Sequence, residues 1–254
     1  LIGMGLHDEK DLTLRGLEEA RGCDILFAEL YTSTMPGLDL GRLEGLVGKK
    51  VEVLERADLE ERTYRLLEKA SKRRVGLLVV GDPLISTTHL HLRLEAQRLG
   101  IESRVVHNAS ISSAAPSISG LQNYKFGRSA TIALPEERFF PETPYEAVRE
   151  NKGRGLHTLL YLDIKVRGKE RHMMTAGEGI EILLRIEGRR REGVFTPETL
   201  CVALGRVGSP DCVMLAGRAG DLAGMDLGLT PHILIVPGRL HFLEEEYLRT
   251  FGGS

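Results

Sequence analysis

Val75-Gly76-Leu77-Leu78-Val79-Val80 runs without a polar side chain and stops at Gly81-Asp82-Pro83. A strand with one wet face alternates apolar and polar residues, whereas a strand covered on both faces reads as a continuous apolar run. This segment is therefore expected at the centre of a sheet with a layer on each side. Working outward, short apolar runs near residues 1–4, 24–30, 50–54 and 101–107 alternate with helical patterns. Such alternation is the signature of a parallel sheet clothed by helices, an α/β fold. The first helix is expected to begin near Asp11, whose carboxylate would cap free amides ahead of an apolar stripe of Leu12, Leu14, Leu17 and Ala20.

Between residues 109 and 120 the composition changes to Ser, Ala, Pro, Ile and Gly, and residues 121–128 add polar and aromatic side chains. That change places a domain boundary, giving an N-terminal α/β domain at 1–113 and a C-terminal α/β domain at 114–254. Strands are expected again near 129–134, 158–163, 200–204, 212–216 and 231–236, with helices around 144–151, 176–187 and 240–250. Gly208-Ser209-Pro210-Asp211 reads as a tight turn joining two strands, so the second sheet should be mixed.

The 34 Lys and Arg residues against 36 Asp and Glu leave a net charge of -2. Lys72-Arg73-Arg74 and Arg189-Arg190-Arg191 sit among acidic neighbours and read as solvated helix ends, which argues against a nucleic-acid partner. Cys23, Cys201 and Cys212 are odd in number and widely spaced, so neither a disulfide framework nor a zinc knuckle is expected, and a reducing, cytoplasmic compartment fits. No apolar run approaches the roughly 20 residues that cross a bilayer, and the opening residues read as a strand rather than a signal peptide.

Ligands of open α/β sheets bind beyond the carboxyl ends of the strands. The exits here are Gly3-Met4-Gly5-Leu6-His7-Asp8, Glu29-Leu30-Tyr31-Thr32-Ser33, Gly81-Asp82-Pro83-Leu84-Ile85-Ser86-Thr87-Thr88-His89 and His107-Asn108-Ala109-Ser110-Ile111. The first lacks the third glycine of a dinucleotide fingerprint and the Gly-Lys-Ser/Thr of a phosphate loop. Gly81-Asp82-Pro83 is sharper, because it ends a strand abruptly and leaves a carboxylate at the ligand edge, ahead of Ser86, Thr87 and Thr88 as helix caps. His89 and His91 lie roughly 200° apart around a helix, so no metal site is expected. Met173-Met174 reads as core packing or a substrate-facing surface.

Taken in order, these exits resemble those of the diphthine synthases within the tetrapyrrole methylase superfamily. Further matching segments are Tyr124-Lys125-Phe126-Gly127-Arg128-Ser129-Ala130-Thr131, His157-Thr158-Leu159-Leu160-Tyr161-Leu162-Asp163-Ile164-Lys165 and Pro231-His232-Ile233-Leu234-Ile235-Val236-Pro237-Gly238, so the resemblance covers essentially the whole chain. It implies two α/β domains with a cofactor cleft between them, a homodimer, and methylation by S-adenosylmethionine, leaving S-adenosylhomocysteine. The implied substrate is the amino group of the 3-amino-3-carboxypropyl-histidine of translation elongation factor 2, carried to the trimethylammonium in diphthamide biosynthesis. Position by position, the resemblance assigns the cofactor contacts to Leu6, Asp82, Ile85, Ser110, Ile111, Leu162, Gly205 and His232, largely through backbone groups. It assigns no catalytic residue; Lys125, Arg128, Lys165 and Arg206 are candidates for holding the substrate carboxylate, each weighed against an ordinary surface role. Gly5-Leu6-His7-Asp8 stands where tetrapyrrole-modifying relatives carry Gly-Pro-Gly-Asp, and Gly205 where alanine is more usual. The competing readings are a corrin or porphyrin precursor methyltransferase and a non-catalytic nucleotide-binding module.

Overall fold

The computed structural model describes residues 1–136, 140–167 and 170–253, and its chain divides into two compact units, Leu1–Ile111 and Ser112–Ser254. In unit 1 the elements run β1 (Ile2–Gly3), α1 (Leu14–Arg21), β2 (Ile25–Glu29), α2 (Leu40–Val47), β3 (Val51–Leu54), α3 (Arg56–Glu60), α4 (Thr63–Ala70), β4 (Val75–Val79) and α5 (His89–Arg98). The four strands pair in the order β1-β4-β2-β3, all parallel. The apolar run is therefore central, and its two faces explain why it does not alternate. Leu78 and Val80 pack with Ile2, Met4, Leu26 and Ala28 on one side, while Leu77 and Val79 pack with Phe27, Leu67 and Leu92 on the other.

Two local expectations are corrected. The strand expected at 101–107 is reduced to a parallel bridge of Val106 to Ile2, in which Gly3 N donates to Val106 O at 2.9 Å. Asp11 does not cap α1; Thr13 does, its hydroxyl accepting from Gly16 N at 2.9 Å, and Leu14 of the expected stripe is 82% exposed. Asp11 faces back instead, its Oδ2 accepting from Leu6 N at 2.9 Å and His7 N at 2.7 Å.

α6 (Ile111–Ser119) opens at the division between the units, within the stretch whose change of composition suggested a domain boundary. Its Pro116 removes one helical donor yet lies buried, so packing overrides propensity there. Unit 2 continues with β5 (Ala130–Ile132), α7 (Thr143–Gly153), β6 (Thr158–Leu162), β7 (Ile164–Arg167), β8 (Glu170–Met173), α8 (Ala176–Arg190), β9 (Leu200–Gly205), β10 (Val213–Arg218), α9 (Ala219–Leu222), β11 (His232–Val236) and α10 (Phe242–Phe251). The strand order is β10-β9-β11-β6-β5, with β5 and β6 parallel and the rest antiparallel, so the sheet is mixed as the turn at Gly208-Ser209-Pro210-Asp211 implies. Ile132, Leu160, Ala203 and Leu234 pack on Tyr145, Val148, Ile180 and Leu183 of α7 and α8. Met174 joins this core. Arg189 and Arg190 do occupy the last turn of α8, but Arg190 is not simply solvated: it pairs with Glu142 at 3.3 Å, with Glu192 at 2.7 Å and with Glu146.

Candidate functional site

In unit 1 the exits of the adjacent strands β1 and β4 are bound to each other. Gly81 N donates to Gly5 O at 2.7 Å, and both glycines hold positive φ, +74° and +85°, a region glycine enters without steric penalty. A Cβ at Gly3 would lie 2.6 Å from Gly81 O and 2.7 Å from the Cβ of Asn108, so the third exit is tied in as well. Asn108 Nδ2 donates to Gly3 O and Asp11 O, both at 2.9 Å.

Asp82 is the knot. It is 6% exposed; its Oδ1 accepts from Leu84 N at 3.1 Å, and its Oδ2 meets His107 Nδ1 at 2.7 Å and Asn108 N at 3.3 Å. One carboxylate thus organises its own loop and the 107–111 segment together. Ser110 is buried, Ile111 opens α6, and Ile85 is 46% exposed beside the loop. Leu6 lies in the β1 exit with its amide spent on Asp11, so a ligand contact there falls to its carbonyl or side chain. Leu6, Asp82, Ile85, Ser110 and Ile111 therefore belong to one cluster of exits. Ser86, a non-glycine residue at φ +56°, carries backbone strain within the same loop. Of the expected helix caps, Thr88 occupies the cap position of α5 but makes no capping hydrogen bond, and Thr87 Oγ1 donates to Pro83 O at 2.7 Å instead.

In unit 2, strand direction brings the other three together. Because β11 runs antiparallel to both β6 and β9, its first residue, His232, pairs with Gly205 at the end of β9 and lies next to the end of β6, where Tyr161 pairs with Ile233 and Leu162 follows. His232 Nδ1 accepts from Ala176 N at 3.3 Å, which leaves the proton on Nε2, a buried donor without a hydrogen-bond partner. Burial pushes the His232 pKa down, so the ring is neutral near pH 7. A cavity of about 260 Å³ adjoins it, lined by Thr175, Glu178, Asp226 and Leu227 among others. A Cβ at Gly205 would come 3.1 Å from Leu227 O and 3.4 Å from the His232 ring, so glycine keeps this edge open. Arg206, next in sequence, is held at φ +52°.

The four basic candidates are already engaged. Lys125 Nζ donates to Arg239 O at 2.7 Å and to Glu244; Lys165 pairs with Glu136; Arg206 pairs with Asp211 at 3.0 Å and Arg128 with Glu150 at 3.4 Å. Glu29, His89 and His107 stand in the strand exits, but their contacts, which join positions far apart in sequence, were not legible there.

The family profile of the Tetrapyrrole (Corrin/Porphyrin) Methylases matches residues 1–223. The chain is 43% identical over 249 residues to a diphthine synthase of Methanocaldococcus jannaschii, covering 98% of this chain and 96% of that protein. It is 46% identical over 253 residues to a diphthine synthase of Methanocella arvoryzae, covering 99% of this chain and 97% of that protein. A crystal structure of diphthine synthase superposes with a TM-score of 0.88 at 38% identity, covering 98% of this chain and 94% of that one. On sequence and on fold alike, the chain belongs to the tetrapyrrole methylase family and, within it, to the diphthine synthases.

Proposed function

We infer that the chain methylates the amino group of the 3-amino-3-carboxypropyl-histidine of elongation factor 2, with S-adenosylmethionine as donor, in diphthamide biosynthesis. The observation that carries this reading is likeness above 40% to diphthine synthases over nearly the whole of both chains. The reaction runs to the trimethylammonium, and the enzyme works as a cytoplasmic homodimer. Among the described residues no helix is long and apolar enough to cross a membrane.

The residues fit such a donor. The buried Asp82 carboxylate supplies negative charge at the strand edge, the glycine exits let backbone approach closely, and the unpartnered His232 Nε2–H offers a buried hydrogen bond. Leu6, Asp82, Ile85, Ser110, Ile111, Leu162, Gly205 and His232 would hold it. When bound, the donor supplies a methyl group already activated by its sulfonium charge. The protein's part is orientation, which brings amine and methyl to about 3–3.5 Å and removes several kcal/mol of the barrier without a nucleophilic side chain. The amine must be neutral to attack, and a proton leaves after each of the first two transfers, to solvent or a base. Incubating the chain with labelled S-adenosylmethionine and elongation factor 2 bearing the aminocarboxypropyl arm should give a product three methyl groups heavier by mass analysis. Labelling of a precorrin instead would replace this substrate with a corrin.

A further inference from the structure

At the carboxyl end of β2, Glu29 is fully buried and nearly saturated. Its Oε1 accepts from Tyr31 N at 2.8 Å and Thr32 N at 2.7 Å, and its Oε2 accepts from Thr32 Oγ1 at 2.7 Å. Facing it, 2% exposed at the start of α5, is His89. The His89 ring has one direct partner, the carbonyl of Pro83 at 3.1 Å from Nδ1. A carbonyl only accepts, so Nδ1 must carry the proton. Nε2 makes no hydrogen bond, its nearest charged neighbour being Glu29 Oε2 at 3.8 Å. Burial holds the ring's pKa below its ordinary value against the opposing pull of Glu29, consistent with a neutral imidazole.

Pro83 is the residue after Asp82, and it cannot donate a backbone hydrogen bond of its own. Its carbonyl is gripped from the far side of the loop by His89 Nδ1–H and Thr87 Oγ1–H. Between these anchors the chain makes its strained turn through Ser86 at φ +56°. A loop holding a non-glycine residue at positive φ keeps that shape only while its surroundings fix it. We propose that His89 is a positioning residue for the methyl donor: by donating Nδ1–H to Pro83 O it holds Asp82 and Ile85 in their binding arrangement, with Glu29 beside the Nε2 edge of the ring. The inference rests on the donor reading given above and adds to it a residue that touches no ligand.

The two amide replacements separate positioning from mere packing. Asn at 89 can set its side-chain N–H close to where Nδ1 stands, whereas Gln sets its N–H near Nε2, and Leu has none. Isothermal calorimetry with S-adenosylhomocysteine on His89→Asn, His89→Gln and His89→Leu, each checked for an intact circular dichroism spectrum, reads the effect without any protein substrate. Loss of one buried hydrogen bond predicts binding about tenfold weaker in the Gln and Leu variants, and Asn within about threefold of the parent. The turnover number at saturating donor should change less than the KM for donor, because a correctly seated donor still reacts. Equal affinity in all three folded variants, or equal weakening in all three, overturns the proposal while leaving the function standing. A parent chain that does not bind S-adenosylhomocysteine overturns both.

Discussion

Asp82 carries more of the local architecture than a ligand contact alone requires, since it accepts from Leu84, His107 and Asn108 at once. Replacing it with alanine strands the Asn108 and Leu84 amides and removes the carboxylate from the proposed donor site. Hydrogen bonds to a charged group contribute about 1.5–3 kcal/mol each, so Asp82→Ala should weaken S-adenosylhomocysteine binding by about tenfold or more while the spectrum stays native. Asp82→Asn keeps shape without charge and should fall between. Calorimetric affinity unchanged in folded Asp82→Ala would remove Asp82 from the site. Asp82 was legible in the sequence because glycine and proline stop a strand at that point. Glu29 and His89 were not: they lie sixty positions apart, and nothing in the spacing of a buried glutamate and a helix-start histidine records that they meet. The basic candidates are ambiguous in sequence for a related reason, since nothing in a matched segment records that a lysine such as Lys125 grips a buried glutamate.

At the scale of elements, the same Glu244 fixes the start of α10. Its Oε2 accepts from His241 N at 2.7 Å and pairs with Lys125, while its Oε1 accepts from Gln122 N at 2.9 Å and from His157 Nε2 at 3.1 Å. His157 Nδ1 in turn accepts from Gly238 N at 3.0 Å, so the carboxylate joins three segments of unit 2. Against burial, which favours the neutral acid, the Lys125 ammonium and the surrounding N–H donors bring the Glu244 pKa from 4.5 to about 2. The native state therefore holds this carboxylate ionised where the unfolded chain would protonate it. The stabilisation, roughly 3 kcal/mol for a shift of this size, is complete above pH 4.5 and lost as pH falls toward 2. His157 acts in the same sense and earlier: burial lowers its pKa from 6.5, so acid below that value protonates the unfolded state first. Glu244→Gln should flatten the pH dependence of the melting temperature below pH 4.5 and cost about 3 kcal/mol at neutral pH, because Lys125 loses its partner while 19% exposed. A variant with the parent's full acid profile would assign that profile to other carboxylates, Glu187 first among them, whose pKa is also brought to about 2 by the amides of Phe195 and Gly193 and the Tyr145 hydroxyl.

At the scale of the molecule, what was legible was whatever the core dictates. A central strand buried on both faces has to be apolar throughout, and so Val75–Val79 announced its place; the antiparallel pair β9 and β10 was announced by the turn between them. The strand expected at 101–107 failed because an edge segment with one neighbour needs only a single bridge to Ile2, and apolar content alone does not set how long pairing continues. The antiparallel pair β7 and β8 was not legible in the sequence. The proposed donor binding makes a prediction at this scale. A ligand that binds only the folded state stabilises it by RT ln(1 + [L]/Kd), about 2.7 kcal/mol at a hundredfold excess over Kd. For a chain of this length each kcal/mol raises the melting temperature by about 2–4 °C, so S-adenosylhomocysteine should raise it by about 5–10 °C. Asp82→Ala and a His232 variant should each reduce the shift. Stabilisation by ATP with none by S-adenosylhomocysteine would favour a nucleotide-binding module over a methyltransferase.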